Sequence, residues 1–140
     1  MARRIKNRKF EAGKQLKSRQ PIGATTNKNQ KPHFSLEFVV SGHCITDCEK
    51  SDRASFANKI RMMSQQTWQQ LRNAPAGGLG FEAIPRRRIL QTIPNHVTED
   101  VTSFFSFRFS GKKAMIGYCT DRTFHILWFD REFDVYNHGS

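Results

Sequence analysis

The chain has 140 residues, 37% of them hydrophobic, which suits one small domain rather than two. No run of residues approaches the roughly 18 consecutive apolar positions that mark a membrane span, and the basic N-terminus lacks the apolar segment of a secretory signal. The formal net charge is +11, and three cysteines, an odd number, are typical of reduced thiols. We therefore expect a cytoplasmic protein without membrane attachment.

Most of the positive charge lies at the N-terminal end. Residues 1–32 contain ten Lys or Arg and one acidic residue, a charge of +9, whereas residues 33–140 contain thirteen against eleven, a charge of +2. Because residues 1–32 hold almost no large apolar side chains, we predict a disordered basic arm there. Such an arm suits an anionic partner, with Arg3 and Arg4 as candidate RNA contacts; the alternative is a solubilising tail without a dedicated partner.

A strand and a helix are predicted next. The segment HFSLEFVVSG, residues 33–42, is rich in Phe and Val and ends at a glycine, which is typical of a strand. Ser51 and Asp52 then provide helix-capping chemistry, and the helix is expected to continue to the PAGG sequence at 75–78. Its apolar face is formed by residues three or four positions apart: Phe56, Ile60, Met63, Thr67 and Leu71.

After an irregular link with a short LGFEAI strand, the pattern from residue 101 predicts an antiparallel meander. In VTSFFSFRFS, Phe105, Phe107 and Phe109 share one face, and Arg108 lies on the other. Short turns lead into AMIGYCT, then into FHILWFD, whose Phe and Leu positions should face the helix, and a last short strand is expected at FDVY. The predicted fold class is α+β, with an N-terminal strand and helix packed on a C-terminal antiparallel β-meander in one domain, residues 33–140.

Residues 104–136 resemble the RelE/ParE superfamily of bacterial toxins. Members of that family run an Arg-containing strand into a Gly turn, a basic residue and an aromatic strand end, and then an apolar strand into a basic corner and a Tyr. The matching residues here are Arg108, Gly111, Lys113, Tyr118, the FHILW strand, Arg131 and Tyr136. The chain has Asp130 before Arg131, whereas many members have a His-Arg pair, and the long basic arm is also unusual for the family.

The resemblance implies cleavage of messenger RNA without a metal or other cofactor. The family's reaction places a 2′-hydroxyl in line with the adjacent 3′-phosphate, and it needs a base, an acid and cations around the phosphate. On that pattern Arg108 and Arg131 would clamp the phosphate, and Lys113 would add a point charge. Lys112 would help to hold the RNA.

Two residues complete the set implied by the resemblance at the C-terminal end. His138 would act as base or acid, because imidazole side chains titrate near neutral pH, and Tyr136 would stack on a base or donate to the phosphate. Arg131, Tyr136 and His138 are therefore expected to face the same basic groove as Arg108 and Lys113. The alternatives are a solvated cross-strand partner at Arg108, a solvated turn at the lysines and a frayed end at His138.

Other side chains give weaker signals. Three consecutive arginines just before the sheet would either contact an RNA backbone or form a solvated link: Arg86, Arg87 and Arg88. His125 is expected to be a packed sheet residue. The HCITDC sequence supplies too few ligands for a zinc site, so no metal is predicted.

The leading functional hypothesis is an endoribonuclease of the RelE type that acts on ribosome-bound messenger RNA and is neutralised by an acidic antitoxin. One alternative is a non-catalytic RNA- or DNA-binding module that relies on the basic arm. A second alternative keeps the toxin fold but inhibits gyrase, as ParE-type members do. A structural or protein-interaction role without nucleic acid also remains open.

Overall fold

A computed structural model describes residues 26–138, and it confirms the predicted α+β class. Most of the predicted arm, including Arg3 and Arg4, lies outside the described residues. Its last part packs against the domain, because the Gln30 carbonyl accepts a hydrogen bond of 2.9 Å from the Trp68 amide and Pro32 is buried.

The regular elements follow the chain in this order: β1 (His33–Ser35), α1 (Lys50–Met63), α2 (Trp68–Asn73), β2 (Glu82–Pro85), β3 (Ser103–Ser110), β4 (Lys113–Thr120) and β5 (Thr123–Asp130). The strands form one sheet in the order β1-β5-β4-β3-β2. β3, β4 and β5 are antiparallel neighbours, so the predicted meander is confirmed. β2 pairs antiparallel with β3, whereas β1 runs parallel to β5 at the other edge, a pairing that the sequence did not predict.

Both helices pack on one face of the sheet. Met63, Trp68 and Leu71 are fully or almost fully buried there, together with Phe107 and Phe129 from the strands. Each such side chain contributes about 1.5–3 kcal/mol by leaving water. Within residues 26–138, no helix has both the length and the apolar character needed to cross a bilayer.

The single helix predicted from residue 51 to the PAGG turn is instead two helices. α1 ends at Met63, and Thr67 starts α2 with a capping box: its hydroxyl accepts a 3.2 Å hydrogen bond from the Gln70 amide, and the Gln70 side chain accepts one of 2.8 Å from the Thr67 amide. Neither Ser51 nor Asp52 is the N-cap residue, because the helix begins at Lys50 with Glu49 as its N-cap. The Asp52 carboxylate accepts hydrogen bonds both from the Glu49 backbone amide and from Lys113 on the sheet.

The opposite face of the sheet is covered by chain that forms almost no regular structure. Phe104, Ile116 and Trp128 are buried there beneath apolar residues of segments 84–97 and 135–136. The sheet is therefore buried on both faces, which explains why its strands are nearly continuous apolar runs.

A β-bulge at Leu127 changes which side chains of β5 face the helices. The pairing of β4 with β5 shifts between Ile116 and Gly117, and both Leu127 and Trp128 consequently belong to the core opposite the helices. The prediction that Leu127 faces the helix is therefore wrong. The bulge requires Gly117, because a Cβ at that position would overlap the carbonyl oxygen of His125.

β1 is shorter than predicted, ending at Ser35 rather than at residue 42. The following chain stays beside β5 without forming a regular ladder. The Val40 amide donates to the Leu127 carbonyl at 2.8 Å, and the Phe129 amide donates to the His43 carbonyl at 2.7 Å. These bonds satisfy backbone groups at the bulged part of β5.

Candidate functional site

A cleft of about 250 Å³ opens on the side of the sheet away from the helices. It lies where β2, β3, the β3–β4 turn and the chain after β5 meet. The described residues that line it are Ala76, Glu82, Arg88, Ser106, Arg108, Lys112, Ala114, Asp130, Phe133, Tyr136 and His138. Cations, carboxylates, hydroxyls and aromatic rings thus share one concave surface.

Backbone pairing holds the C-terminal segment, residues 131–138, in the wall of this cleft. Tyr136 forms an isolated antiparallel bridge with Ile89, in place of the predicted FDVY strand. The Leu90 amide donates to the Val135 carbonyl at 2.7 Å, and the Asn137 amide donates to the Arg88 carbonyl at 2.9 Å. The segment is therefore positioned as far as Asn137 rather than frayed.

Tyr136 and His138 form a stacked pair within this segment. Their ring centroids are 4.0 Å apart with an angle of 29° between the planes. Tyr136 is 7% exposed, whereas His138 is exposed to solvent. Burial, and to a smaller extent the negative charge of Glu82, raises the pKa of Tyr136, although a hydrogen bond with Ser106 opposes that rise. The phenol is therefore a neutral hydrogen-bond donor at physiological pH.

Strand alternation directs Arg108 into the cleft. Phe107 and Phe109 point to the helices, and Ser106 and Arg108 point the other way, as the sequence predicted. The Arg108 side chain also passes close to Gly77 in the loop after α2. Its guanidinium is thus at the mouth of the cleft, on a strand that the core holds rigidly.

Arg88 supplies a second guanidinium from the 3₁₀ turn that follows β2. It donates a hydrogen bond to the Asn137 carbonyl, and its guanidinium carbon lies 6.0 Å from the centroid of the Tyr136 ring. Lys112 adds an exposed ammonium from the β3–β4 turn. These three cations outnumber Glu82 and Asp130, the two acidic residues among the described lining residues.

Asp130 ends β5 at the base of the cleft and is only 1% exposed. Burial raises the pKa of its carboxyl group, although a 2.9 Å hydrogen bond from the Asp134 amide opposes this. The nearby charge of Asp134 raises the pKa further, and a charged His138 lowers it. The corner at the end of β5 is therefore occupied by a buried carboxyl group.

Lys113 and Arg131 do not line the cleft, unlike the other three residues expected to share a groove. Lys113 lies on the helix face of β4, beside Met115, and its ammonium contacts the buried Asp52 carboxylate at 2.8 Å. That bond, together with one from Ser110, lowers the pKa of Asp52. Arg131 contacts Glu132 at 2.9 Å. The expected grouping of Lys113 and Arg131 with Arg108 is therefore wrong, although their roles in catalysis stay predictions.

The three consecutive arginines diverge because they form a single 3₁₀ turn. Arg86 donates to the carbonyls of Thr98 and Val101 at 2.6 and 2.9 Å, which ties the link before β3 to the turn. Arg87 is exposed, and Arg88 alone of the three lines the cleft. Of the three adjacent arginines, Arg86 therefore stabilises the link before β3, whereas Arg88 contributes to the cleft.

The remaining histidines and cysteines of the described chain pack elsewhere. His125 stacks on Tyr118, with ring centroids 4.9 Å apart, as expected for a packed sheet residue. His43 contacts Asp134 at 3.2 Å, and the Cys48 thiol lies 3.9 Å from the Cys44 carbonyl. Within residues 26–138, no three His, Cys, Asp or Glu side chains are arranged to hold a metal ion.

Comparison of the chain with protein-family models, curated proteins and solved structures finds no match. The functional interpretation therefore rests on the cleft.

Six of the eleven described lining residues were not predicted as site residues: Ala76, Glu82, Ser106, Ala114, Asp130 and Phe133. Glu82 lies in a short strand without any chemical motif, and Ser106 lies among the Phe residues of β3 without one. A large aromatic residue in a charged turn between strand and tail is uncommon, so Phe133 could have been singled out from the sequence. The full set supplies cations that can bind phosphate, an imidazole at His138, a carboxyl group at Glu82, and rings that can contact nucleobases.

Proposed function

We propose that the protein is an endoribonuclease that cleaves RNA in this cleft without a metal ion. The observation that carries the proposal is the convergence of Arg88, Arg108 and Lys112 on the stacked pair of Tyr136 and His138. These side chains come from separate parts of the sequence, and solvated surface charges do not require such a grouping. Two proton-exchanging groups beside three cations are what cleavage of a phosphodiester needs.

The reaction would start at the 2′-hydroxyl of the nucleotide whose 3′-phosphate lies in the cleft. As the 2′-oxygen bonds to phosphorus, its proton passes to a base; as the bond from phosphorus to the 5′-oxygen breaks, an acid protonates that oxygen. The products are a 2′,3′-cyclic phosphate and a 5′-hydroxyl. His138 and Glu82 are proposed for the two proton transfers, one as base and the other as acid.

The cations and Tyr136 would stabilise the charge that develops during this step. Arg108 and Arg88 can each pair with two phosphate oxygens, and Lys112 adds a point charge. The neutral Tyr136 phenol can donate to a phosphate oxygen. Because the Tyr136 ring is buried and paired with Ser106, its position is fixed before the substrate binds, which avoids a cost of reorganisation in the transition state.

The wider biological setting follows the resemblance to RelE-type toxins. We propose that the substrate is messenger RNA on the ribosome, that the protein acts in the cytoplasm, and that an acidic antitoxin binds the basic cleft. The α+β architecture with a C-terminal meander supports this assignment at the level of fold class. The charge of +11 supports association with an anionic particle such as the ribosome.

The test compares the full chain with its Arg108→Ala and His138→Ala variants on a labelled RNA in the presence of a chelator. Both variants should lose at least about 100-fold in cleavage rate, which is the usual contribution of one acid–base or phosphate-stabilising group. Mass spectrometry should detect a 2′,3′-cyclic phosphate, and the 2′-deoxy form of the same strand should stay intact. A His33→Ala variant is the matched control, because His33 is exposed on β1 and does not line the cleft.

A second arm uses translating ribosomes, since a ribosome-dependent enzyme leaves free RNA intact. Cleavage on neither substrate, with RNA binding retained, would favour the non-catalytic binding module. Activity of His138→Ala equal to that of the wild type would remove His138 from the mechanism. Growth arrest with intact messenger RNA and inhibited gyrase would favour the ParE-like alternative.

A further inference from the structure

Phe133 is a large apolar side chain at the rim of the cleft, and it is not part of the hydrophobic core. It lies in the turn after β5, lines the cleft and is 48% exposed. The proposed acid–base reaction assigns it no role. An exposed aromatic ring inside a basic cleft is therefore the feature of the site that most needs an explanation.

The backbone conformation at Phe133 is energetically unfavourable for a residue that carries a side chain. Its φ angle is +57°, in the left-handed region that favours glycine. The other non-glycine residue of the described chain with positive φ is Asp121, a short polar residue that suits a tight turn. A glycine would fit position 133 with less strain, so the ring must be explained by something other than the turn.

Three contacts on the neighbouring residue hold the turn in this conformation. The Asp134 amide donates to the buried Asp130 carboxylate at 2.9 Å, and the Asp134 carbonyl accepts from the Gln91 side chain at 2.9 Å. The Asp134 carboxylate contacts His43 at 3.2 Å. These contacts fix the turn, so the Phe133 ring is held in place before a ligand binds. Less conformational entropy is therefore lost on binding.

The Phe133 ring also lies next to the other two aromatic rings of the cleft, those of His138 and Tyr136. Phe133 meets His138 edge to face, with centroids 6.2 Å apart and an angle of 71° between the planes, and His138 stacks on Tyr136. Arg108 and Lys112 line the same cleft. Aromatic rings interleaved with cations form the surface on which unpaired nucleic-acid strands bind, with bases on the rings and phosphates at the cations.

We propose that Phe133 is a stacking platform for an unpaired base next to the phosphate in the cleft, so that the site selects single-stranded over duplex RNA. The inference rests on the proposed function, because it assigns a strand type to the same cleft. A base within a duplex is already stacked on both faces and cannot cover Phe133, whereas a base in a single strand can.

The experiment measures binding of the full chain to a short fluorescein-labelled 2′-deoxy oligonucleotide, single-stranded or in a duplex. The deoxy strand separates binding from cleavage, because it lacks the proposed nucleophile. The variants are Phe133→Gly, Phe133→Asn and Phe133→Trp, with Asp121→Gly as the control that relieves a positive φ outside the cleft. Thermal unfolding is recorded for each variant.

Phe133→Gly and Phe133→Asn should weaken single-strand binding by about tenfold or more, the usual loss for one stacked base, and leave duplex binding unchanged. Their melting temperatures should equal or exceed that of the wild type, because backbone strain is relieved. Phe133→Trp should retain the affinity, and Asp121→Gly should not change it. On cleavable RNA, Phe133→Gly should raise KM more than it lowers kcat.

Unchanged single-strand affinity in both Phe133→Gly and Phe133→Asn would overturn the stacking proposal, even if the enzyme cleaves RNA as proposed. Equal loss of single-strand and duplex binding, or absence of oligonucleotide binding by the wild type, would also overturn it. Conversely, a single-strand preference that depends on Phe133 in a protein that cuts no RNA would support the platform and contradict the endoribonuclease. The two proposals therefore fail separately.

Discussion

Asp130 is a buried carboxyl group in a cleft where three cations outnumber it and Glu82. It is 1% exposed, and burial raises its pKa. A group whose pKa is raised by folding binds its proton more tightly in the folded state than in the unfolded state. Its contribution to stability is therefore present at low pH and is lost as the pH rises through the folded pKa.

Asp130→Asn should for this reason raise the melting temperature at pH 7. The amide oxygen of the new side chain can still accept the hydrogen bond from the Asp134 amide, while the cost of burying a charge is removed. The gain should be absent below about pH 4, where the wild-type carboxyl is protonated in both states, and should grow above it. Thermal unfolding across this pH range checks the prediction.

The matched control is Asp121→Asn, at an exposed carboxylate in the turn between β4 and β5. It should not reproduce the pH-dependent gain. A melting temperature of Asp130→Asn below that of the wild type at pH 7 would show that the carboxylate charge stabilises the cleft, for example through His138.

For single residues, the sequence predicted the position of a side chain correctly where its chemistry and the strand alternation indicate the same face of the sheet. The direction of Arg108 followed from the alternating Phe residues of β3. His138 was expected in the same groove as Tyr136, and the two rings stack in the cleft. The expected position of Lys113 in the groove was wrong, because the resemblance to toxins fixes its place in the chain but not its partner. The carboxylate of Asp52, 61 positions earlier, holds it on the other face.

At the level of secondary structure, the bulge between β4 and β5 determines which residues reach each face. Gly117 lies opposite the bulge, and a Cβ there would overlap the backbone of His125. Gly111, in the β3–β4 turn, has a φ angle of +59° but open space around it. The two glycines therefore meet different constraints, one from packing and one from backbone conformation.

Gly117→Ala should destabilise the protein by about 3 kcal/mol or more, because β4 and β5 must separate or shift register. Gly111→Ala should cost about 1–2 kcal/mol, the penalty for an L-residue in the left-handed region. Chemical denaturation of both variants measures the difference. Equal losses would mean that the sheet absorbs a side chain at Gly117 without changing register.

The elements were predicted well where periodicity is strong and poorly where tertiary contacts decide. The three strands of the meander are apolar runs separated by short turn sequences, so they can be found from sequence alone. The helix break between Met63 and Thr67 was missed, because the apolar spacing continues across it. The pairing of β1 with β5 was also missed, because a strand of three residues carries too little pattern to specify its neighbour.

For the molecule as a whole, charge is divided between the cleft and the N-terminal residues. Residues 1–25 contain eight Lys or Arg residues and a single acidic one. If they contact RNA as predicted, they act by neutralising phosphates, an interaction that salt weakens steeply. The cleft, in contrast, supplies the groups assigned to chemistry.

Replacing those eight basic residues by Gln should raise KM for RNA about tenfold at low salt and leave kcat unchanged. The difference should shrink as the salt concentration rises, because salt screens the same contacts in the wild type. Steady-state cleavage at several salt concentrations checks this. Loss of kcat in this variant would place the N-terminal residues in the reaction itself, and an unchanged KM would favour the solubilising tail.

The backbone pairing of residues 88–90 with residues 135–137 also determines whether the rings of Tyr136 and His138 belong to the cleft. The cations of β3 and of the β3–β4 turn belong to the meander, whereas the rings of Tyr136 and His138 are held in the cleft by this long-range pairing. If the cleft acts as proposed, a molecule that lacks this pairing would keep Arg108 and Lys112 for binding RNA but would lack His138 for cleaving it. The proposed binding and cleavage would therefore depend on different parts of the fold.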